Sequence, residues 1–452
     1  MTEGNDKELP SEFSARMLGQ LGAEAEAFFQ ALAGTSPASI RLHHLKGRSS
    51  FDLSDRVPWC RNGYYLPSRP SFHLDPHWHG GAYYVQEASS MILDHVLGNV
   101  LKKNQPRIWV DLCAAPGGKT GILASHMGPD DVLLANEVVG TRRAILRENL
   151  TKAGYHNTFI AGESSASFKE PFADVMLIDA PCAGEGMMRK DPEAIRQWTP
   201  SLVQQCSALQ RQLVSESIMS LREEGYLVYS TCSYSYEENL NNVIHFASTY
   251  GLHSVRIDFP ESWGIHTLNQ NGIEGYQLYP HRLRGEGLFI AVLQKPSVSE
   301  PIYQKTKKPT LAFESLPAWL AESVSEPDRY RVRKNSISHQ IIRASAEAKA
   351  NELLTMLPRA ELIGEAGERK GKDFIPSHFM AMSGMAHAHF GLINAELAVA
   401  LDYLQRATDS LPADGTAGWH LVAYQETILG WVKRTAQGWK NHYPMNWRLR
   451  NR

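Results

Sequence analysis

Short apolar runs alternate with helical patterns through the middle of this chain. Residues 141–153 and 201–223 have the spacing of amphipathic helices. Between such segments lie runs rich in Val, Ile and Leu that are typical of buried strands. In chain order from Arg107 to Lys295 they are RIWVDL, DVLLANEV, NTFIAG, ADVMLIDA, GYLVYS and GLFIAVLQK. Strands that alternate with helices in this way predict a parallel sheet covered on both faces, which is an α/β fold.

The segments on either side of this region have other patterns. Residues 12–33 predict an amphipathic helix and residues 37–43 a short strand, which indicates a small α+β module. The C-terminal part combines glycines, aromatic residues and short alternations, as in GWHLVAY and ILGWVK, and predicts a β-rich domain. The predicted division is therefore an N-terminal module over 1–80, the α/β part over 81–295, a connector over 296–360 and the β-rich domain over 361–452.

Composition indicates a folded protein, because 43% of the residues are hydrophobic and 21% are charged. No run of about 18 apolar residues is present, and the start, MTEGNDKELPSEF, lacks the layout of a secretory signal. We therefore expect a cytoplasmic protein with no membrane partner. The net charge of −2 conceals a basic end, since the last twenty residues contain no acid but six bases, Lys433, Arg434, Lys440, Arg448, Arg450 and Arg452. Such an end favours a polyanion as partner.

Two other features of the C-terminal part have alternative interpretations. The basic cluster RYRVRK at 329–334 is either a solvated face or an RNA contact. Four aromatic residues interleave with the basic end, and they either stack on RNA bases or fill the core of the domain: Trp431, Trp439, Tyr443 and Trp447.

The five cysteines indicate neither a disulfide framework nor a zinc ribbon, because their number is odd and no two are spaced as C-x-x-C. We expect no metal site, since neither histidine group has a familiar zinc spacing: His73, His77 and His79, or His387 and His389. Cys206 is predicted to face the core, on a helical stripe with Leu202, Leu209 and Leu213.

A glycine-rich turn, DLCAAPGGKT at 111–120, follows the first predicted strand and precedes a helix. It fits neither the dinucleotide template G-x-G-x-x-G nor the phosphate loop G-x-x-x-x-G-K-[ST]. S-adenosylmethionine carries no phosphate, so its site needs close backbone approach and an acid for the ribose hydroxyls. Glu137, at the end of the second strand, is placed for those hydroxyls. The sequence therefore favours S-adenosylmethionine as cofactor.

Two cysteines follow neighbouring strands of the predicted sheet. Cys182 comes after Asp179 at the end of the fourth strand, and Cys232 follows the fifth. Because the carboxyl ends of parallel strands open into one crevice, both thiols are expected to face one pocket. The segment Ser235–Glu238 resembles a capping box, which would place Cys232 just before a helix N-terminus and activate its thiol. Buried apolar filling is the alternative for either cysteine alone.

A methyl donor beside a thiolate suits methylation of carbon 5 of a pyrimidine. That carbon is a weak nucleophile until a thiolate adds to carbon 6. An acid near the ring nitrogen and amino group, such as Asp179, would assist the attack, and a second cysteine or a water would assist release.

These residues resemble those of the Nol/Nop/Sun (Fmu) family of RNA cytosine-5 methyltransferases, and within it the bacterial RsmF type that acts on 16S rRNA. The resemblance lies in DLCAAPGGKT, DAPCAGEGMMRKDPEAI (179–195), YSTCSYSYEEN (229–239) and LYPHRLRGEGLFIAVLQK (278–295), with SIRLHHLK and YYVQEASSM upstream. It implies a class I (Rossmann-like) methyltransferase core with an N-terminal RNA-binding module. The segments DFIPSHFMAM, ILGWVK and GWKNHYPMNWR resemble the PUA-like RNA-binding domain that ends such enzymes.

The resemblance also implies roles for single residues. Cys232, in the T-C motif, would be the covalent nucleophile, and Cys182, in the P-C motif, would aid product release. Lys119 and Asp179 would reach toward the cytosine. The implied cofactor residues are Cys113, Ala114, Ala115, Pro116, Gly117, Gly118, Lys119, Glu137 and Asp179, with Glu163 in the position where the family usually has an Asp for the adenine amino group.

The sequence thus predicts an S-adenosylmethionine-dependent RNA cytosine-5 methyltransferase, a monomer whose partner is 16S rRNA or the 30S subunit and not DNA. A transfer RNA methyltransferase and a non-catalytic ribosome-assembly factor are the alternatives. The intact pair of Cys182 and Cys232 disfavours the assembly factor.

Overall fold

The computed structural model describes residues 8–100, 105–297, 312–334, 338–371 and 373–451. Its N-terminal unit contains helices α1 (Ser11–Leu21) and α2 (Ala25–Ala33), strands β1 (Ala38–Leu42), β2 (Gly63–Leu66) and β3 (Tyr83–Val85), and the short helix α3 (Pro76–His79). The single helix predicted over 12–33 is interrupted at Gly22, whose positive φ of 55° ends α1. The three strands form an antiparallel sheet in the order β2-β1-β3, so this unit extends past residue 80.

A ten-stranded sheet forms the centre of the molecule. Its strands are β4 (Ile108–Asp111), β5 (Val132–Asn136), β6 (Thr158–Ala161), β7 (Ala173–Asp179), β8 (Leu221–Thr231), β9 (His253–Ser254), β10 (His266–Gln270), β11 (Ile273–Leu278), β12 (Leu288–Gln294) and β15 (Glu361–Leu362). The order is β10-β11-β12-β8-β7-β4-β5-β6-β15, and β9 also pairs with β12. Strands β4 to β8 are parallel, as predicted. Strand β12 is antiparallel to β8, so the predicted parallel arrangement is wrong for GLFIAVLQK.

Helices cover both faces of this sheet: α4 (Ile92–Val100), α5 (Gly118–His126), α6 (Gly140–Ala153), α7 (Pro192–Gln197), α8 (Pro200–Ser217) and α9 (Leu240–Tyr250). Successive residues of β4 enter opposite apolar clusters. Trp109 packs in the cluster that contains residues of α4 and α5, whereas Ile108 and Val110 pack in the cluster that contains residues of α8 and α9. This alternation confirms the α/β fold with a doubly covered sheet.

The buried face of α8 differs from the predicted stripe by one residue. Its buried side chains are Val203, Ser207, Gln210, Val214 and Ser217, so three of the five are polar. Cys206 is only half-buried, and the prediction that it faces the core with its leucine stripe is therefore wrong. The physical reason is that the polar residues on the buried face of α8 have hydrogen-bond partners in neighbouring segments. For example, the Ser207 hydroxyl donates to the Glu237 carbonyl, just before α9, at 2.8 Å.

The segment predicted as a connector over 296–360 is folded in its described part, and residues 298–311 with their lysines lie outside the described residues. It holds α10 (Ala318–Ala321), β13 (Tyr330–Lys334), β14 (His339–Arg343) and α11 (Glu347–Met356). Strands β13 and β14 join β16 (Glu365–Lys370) and β17 (Asp373–Pro376) in a four-stranded antiparallel sheet. Within the basic cluster, Arg331 pairs with Glu347 at 3.5 Å.

The last unit contains α12 (His378–Met382), β18 (Gly391–Asn394), α13 (Leu397–Leu404), β19 (Gly418–Tyr424), β20 (Thr427–Thr435) and β21 (Gly438–Asn441). Its four strands form a sheet in the order β18-β19-β20-β21. Trp431 and Tyr443 are fully buried in it or against it, so the alternative that they stack on RNA bases is wrong. Among the described residues, no helix combines the length and apolarity needed to cross a membrane.

Candidate active site

The glycine-rich turn connects β4 to α5 and forms one wall of a cleft of about 200 Å³. Gly117 has a positive φ of 110°, which a residue with a side chain rarely adopts. At Gly118 a Cβ would lie 3.1 Å from a ring carbon of Tyr84, so the backbone approaches β3 closely. The opposite wall comes from the YYVQEASSM segment, including Gln86 and Glu87. The turn at 111–120, together with Glu137 after β5 and Glu163 after β6, is called the turn side below.

A buried carboxylate lies under this turn. Asp111 is 1% exposed, and its Oδ2 accepts a hydrogen bond of 2.7 Å from the Thr120 hydroxyl. Its Oδ1 has no partner among the described residues. Burial raises the pKa of Asp111 to about 7, and burial together with nearby carboxylates also raises the pKa of the Cys113 thiol. Cys113 is therefore a neutral thiol at physiological pH.

Glu137 follows β5 and is buried beside the turn. Its Oε1 accepts a hydrogen bond of 2.9 Å from the Val139 backbone N–H. The exposed Arg142 lies 3.5 Å from its Oε2 and donates to the Ala115 carbonyl of the turn at 2.9 Å. A carboxylate at this place can accept hydrogen bonds from a diol once Arg142 moves aside.

Glu163 follows β6 on the same edge of the sheet. Its carboxylate is already engaged, because Arg359 donates to it at 2.9 Å and the Ser167 hydroxyl at 3.3 Å. Arg359 lies between α11 and β15, and β15 pairs with β6. The structure thus places Glu163 against the segment that was predicted to be a connector.

The two cysteines meet at the ends of adjacent parallel strands. Asp179 of β7 is in register with Ser230 of β8, and the sulfur atoms of Cys182 and Cys232 lie 2.9 Å apart. This contact and burial both raise the pKa of Cys182 well above its ordinary value. Cys182 therefore remains a neutral thiol that can donate to its neighbour. The loops that carry the two thiols are called the cysteine side.

A charged pair joins the turn side to the cysteine side. Lys119, from the first turn of α5, contacts Asp179 with an Nζ–Oδ2 distance of 2.8 Å, and the Ser230 hydroxyl donates to Oδ1 of Asp179 at 2.8 Å. Burial lowers the pKa of Lys119, but Asp179 together with Cys232 and Asp111 raises it by more, and the net shift is upward. Lys119 is consequently a fixed cation beside the two thiols. The four residues predicted to be catalytic are thus brought together.

The predicted capping box forms only in part. The Ser235 hydroxyl accepts a weak hydrogen bond from the Glu238 backbone N–H at 3.4 Å, but α9 begins only at Leu240. Cys232 is therefore farther from a helix N-terminus than the sequence predicts, and the helix dipole acts mainly within the first turn.

Sequence reasoning missed two buried acids on the cysteine side. Glu185 accepts from the Tyr234 backbone N–H at 2.7 Å. Glu238 accepts from the Ala183 backbone N–H at 3.0 Å and from Gln210 at 2.8 Å. Both are completely buried. Nothing in the pattern marks them as buried, because Glu is ordinarily a surface residue.

Three family models match this chain. Residues 99–294 match "16S rRNA methyltransferase RsmB/F", residues 9–88 match "N-terminal domain of 16S rRNA methyltransferase RsmF", and residues 392–449 match "Methyltransferase RsmF PUA domain". The last match begins thirty-one residues after the start predicted for the β-rich domain, 392 against 361.

Individual proteins are similar over large parts of the chain. Ribosomal RNA small subunit methyltransferase F from Enterobacter sp. (strain 638) is 33% identical over 318 residues, covering 65% of this chain and 64% of that protein. The protein of the same name from Salmonella agona (strain SL483) is 30% identical over 413 residues. This match covers 86% of this chain and 83% of that protein. Over others of that name the chain spans about half their length, 54 to 55%.

A solved structure is also similar. It is a methyltransferase homologue from Pyrococcus horikoshii, which is 29% identical, has a TM-score of 0.54, and is covered over 96% of its length by 64% of this chain.

Proposed function

Because this chain belongs to the family of the 16S rRNA methyltransferase RsmF, we propose that it methylates carbon 5 of a cytidine in 16S rRNA, with S-adenosylmethionine as donor. The observation that carries the proposal is the pair of thiols, 2.9 Å apart, beside the Lys119–Asp179 pair at the ends of two adjacent parallel strands. A thiol nucleophile next to a fixed cation suits addition to an electron-poor pyrimidine.

The turn side fits the proposed donor. The missing side chain at Gly118 leaves room in the 200 Å³ cleft, and a substituent there would close it against Tyr84. Glu137 would accept the ribose hydroxyls. Glu163 is a weaker candidate for the adenine amino group, because Arg359 holds its carboxylate. Bound S-adenosylmethionine would supply an electrophilic methyl group.

The residues present can perform each step of the transfer. The Cys232 thiolate adds to carbon 6 of cytosine, and the electron pair of the 5,6 double bond moves to carbon 5. Lys119 would stabilise the negative charge that develops on the ring, and the Asp179 carboxylate would accept a hydrogen bond from the amino group and orient the base. Carbon 5 would then take the methyl group that bound S-adenosylmethionine supplies. A water takes the carbon 5 proton, the bond between sulfur and carbon 6 breaks, and Cys232 leaves as a thiolate that accepts a hydrogen bond from the neutral Cys182 thiol.

The motif resemblance supports the division of roles between the thiols, because Cys232 lies in the T-C motif and Cys182 in the P-C motif. A neutral Cys182 thiol next to Cys232 can donate a hydrogen bond to the Cys232 sulfur as that sulfur leaves carbon 6. We therefore propose Cys232 as the nucleophile and Cys182 as the residue that aids release.

Cysteine variants test the proposal. Cys182→Ala should accumulate a covalent RNA adduct, seen as a slow band on denaturing gels, because attack proceeds while release stalls. Cys232→Ala should give neither adduct nor product. Cys206→Ala, on α8 outside the cleft, is the matched control and should behave as the parent protein. If Cys182→Ala were inert and Cys232→Ala formed the adduct, the two roles would be reversed.

Bisulfite sequencing of total RNA from cells with and without this gene tests the substrate. Loss of one or more protected cytidines in 16S rRNA would support the proposal. Loss at a transfer RNA site would favour the transfer RNA alternative, and unchanged protection everywhere would favour the assembly factor.

A further inference from the structure

The Glu185 carboxylate connects the loop after Cys182 to the loop after Cys232. Its Oε2 accepts hydrogen bonds from the Tyr234 backbone N–H at 2.7 Å and from the Ser233 hydroxyl at 3.1 Å. The next residue, Gly186, donates its N–H to the Cys232 carbonyl at 2.7 Å. The chain from Cys232 to Tyr234 is therefore held at three successive residues by one short segment.

The charge of this buried acid is balanced from a different domain. Arg16 of α1 donates from its guanidinium to Oε1 of Glu185, the oxygen that also accepts from the Trp198 indole N–H at 2.8 Å. The guanidinium carbon lies 5.1 Å from the centre of the Trp198 ring, within range of a cation–π contact. A fully buried carboxylate needs such a cation, because an unpaired one costs several kcal/mol.

The same helices contact the Cys232 loop at other points. Gln20 of α1 donates to the Tyr234 carbonyl at 3.0 Å and to the Tyr279 hydroxyl at 2.8 Å. Phe28 of α2 packs edge-on against the Tyr234 ring, with 5.1 Å between centroids. Tyr234 is thus enclosed by the N-terminal helices, two residues from the nucleophile proposed above.

We propose that Arg16 is a positioning residue for the methyl transfer, acting through Glu185 to fix the backbone that carries Cys232. This inference rests on the proposed function. It gives the N-terminal helices a part in the chemistry in addition to RNA binding. Placing a nucleophile wrongly by about 1 Å can cost on the order of a hundredfold in rate, so loss of this support is expected to reduce kcat while substrate binding persists.

Arg16→Met is the test variant, and Arg16→Lys is its conservative partner. We expect Arg16→Met to lower kcat about tenfold or more and to change KM less than about twofold, because the substitution loosens the backbone around the nucleophile and changes only one partly buried side chain. Arg16→Lys should recover part of kcat, since an ammonium can pair with Glu185 but lacks the planar fork of a guanidinium. The substrate is 30S subunits or 16S rRNA from cells that lack this gene.

Glu24→Gln is the matched control. Glu24 links the same N-terminal helices to the methyltransferase part through Arg282 at 2.7 Å and His281 at 2.9 Å, without contact to the cysteine loops. If Arg16 merely docks the helices, both variants should lower kcat equally, and the inference would be overturned. An unchanged kcat in Arg16→Met would overturn it as well.

A second measurement does not depend on RNA. The rate of iodoacetamide modification at Cys232, followed by peptide mass spectrometry with Cys206 as internal reference, should change at least about threefold in Arg16→Met and remain unchanged in Glu24→Gln. If the parent protein methylates no RNA, the proposed function fails. The modification rate at Cys232 then tests the positioning role of Arg16 by itself. Equal rates in the parent protein and Arg16→Met would then overturn the positioning role.

Discussion

Buried carboxylates on the turn side and on the cysteine side have different surroundings. On the turn side, Asp111 is buried with one oxygen that has no partner among the described residues, and burial raises its pKa to about 7. On the cysteine side, Glu238 is equally buried but accepts hydrogen bonds from Ala183, Gln210 and Ser233. A buried carboxylate with few donors opposes folding when it is ionised, whereas removing a carboxylate that satisfies several donors leaves those donors without an acceptor. Burial raises the pKa of Glu238 as well, and its hydrogen bonds lower that pKa again only in part. The two sites therefore differ in how many donors would lose their acceptor if the carboxylate were removed.

The other acids of the turn side have arginine partners that a ligand can replace. Glu137 and Glu163 pair with arginines whose side chains are 53% and 82% exposed, Arg142 and Arg359. Exposed ion pairs contribute at most about 1 kcal/mol, so a ligand can displace them easily. The cysteine side is fixed before substrate binds, and the turn side can adapt to its ligand.

The largest expected effect is on the cysteine side. Glu238→Ala should lower the free energy of unfolding by about 3 to 5 kcal/mol, because four buried donors lose their acceptor. Urea unfolding followed by circular dichroism measures it. Glu237→Ala, at the half-buried neighbouring position, is the control and should change the value by less than about 0.5 kcal/mol. Equal changes in the two variants would show that the buried network does not stabilise the fold.

Asp111→Asn should instead raise the free energy of unfolding. The folded-state pKa lies above the unfolded value, so the parent protein loses stability as pH rises from about 4 to about 7. The neutral amide avoids that loss, and at pH 8 the variant should be more stable by on the order of 3 kcal/mol, with little difference near pH 4. Urea unfolding at the two pH values checks this. Asp409→Asn, at an exposed position, should show no such pH dependence, and a destabilised Asp111→Asn at pH 8 would contradict the comparison.

Glu137→Ala should weaken binding of S-adenosylmethionine about 10- to 100-fold, because hydrogen bonds to a charged group contribute about 1.5 to 3 kcal/mol. Titration calorimetry on the full chain measures the affinity. Glu170→Ala, at an exposed position before β7, serves as control. Unchanged affinity in Glu137→Ala would remove Glu137 from the proposed cofactor site.

The smallest effect is expected at Arg359. Arg359→Ala frees the Glu163 carboxylate, and the affinity for S-adenosylmethionine should rise by at most about fivefold, while the free energy of unfolding changes by less than about 1 kcal/mol. The same calorimetry measures the affinity. A weaker affinity would mean that Arg359 orients Glu163 toward the ligand instead of withholding it.

The parallel strands were predictable because they are buried on both faces and therefore apolar throughout. The positions of Cys182 and Cys232 followed from them, since residues just beyond adjacent parallel strands must meet. Their partners were harder to predict. Glu185 and Glu238 look like surface residues in the sequence, and only contacts with residues far along the chain, such as Arg16 and Gln210, allow their burial.

Errors elsewhere have similar causes. The packed face of α8 contains Ser207 and Gln210 in place of a leucine stripe, because a polar network there replaces apolar contact. Residues 312–360 resemble a connector in composition, yet they bury Leu353 and Ile341 against the large sheet and its neighbours. Local pattern cannot reveal burial that depends on such distant partners.

Strand β15 has a consequence for solubility. Without it, β6 would be the end of the large sheet, and its backbone N–H and C=O groups would form an open template along TFIA, a segment that is buried throughout. The opposite end, β10, is a polar strand, HTLNQ, that tolerates exposure. An exposed apolar edge strand can pair with the same strand of another molecule. In this protein the β6 edge is covered by the two residues of β15, which come from a later part of the chain. A fragment that stops before residue 361 would therefore be prone to self-association. By pairing with β6, the segment between the methyltransferase and PUA parts would lower the tendency of the whole chain to aggregate.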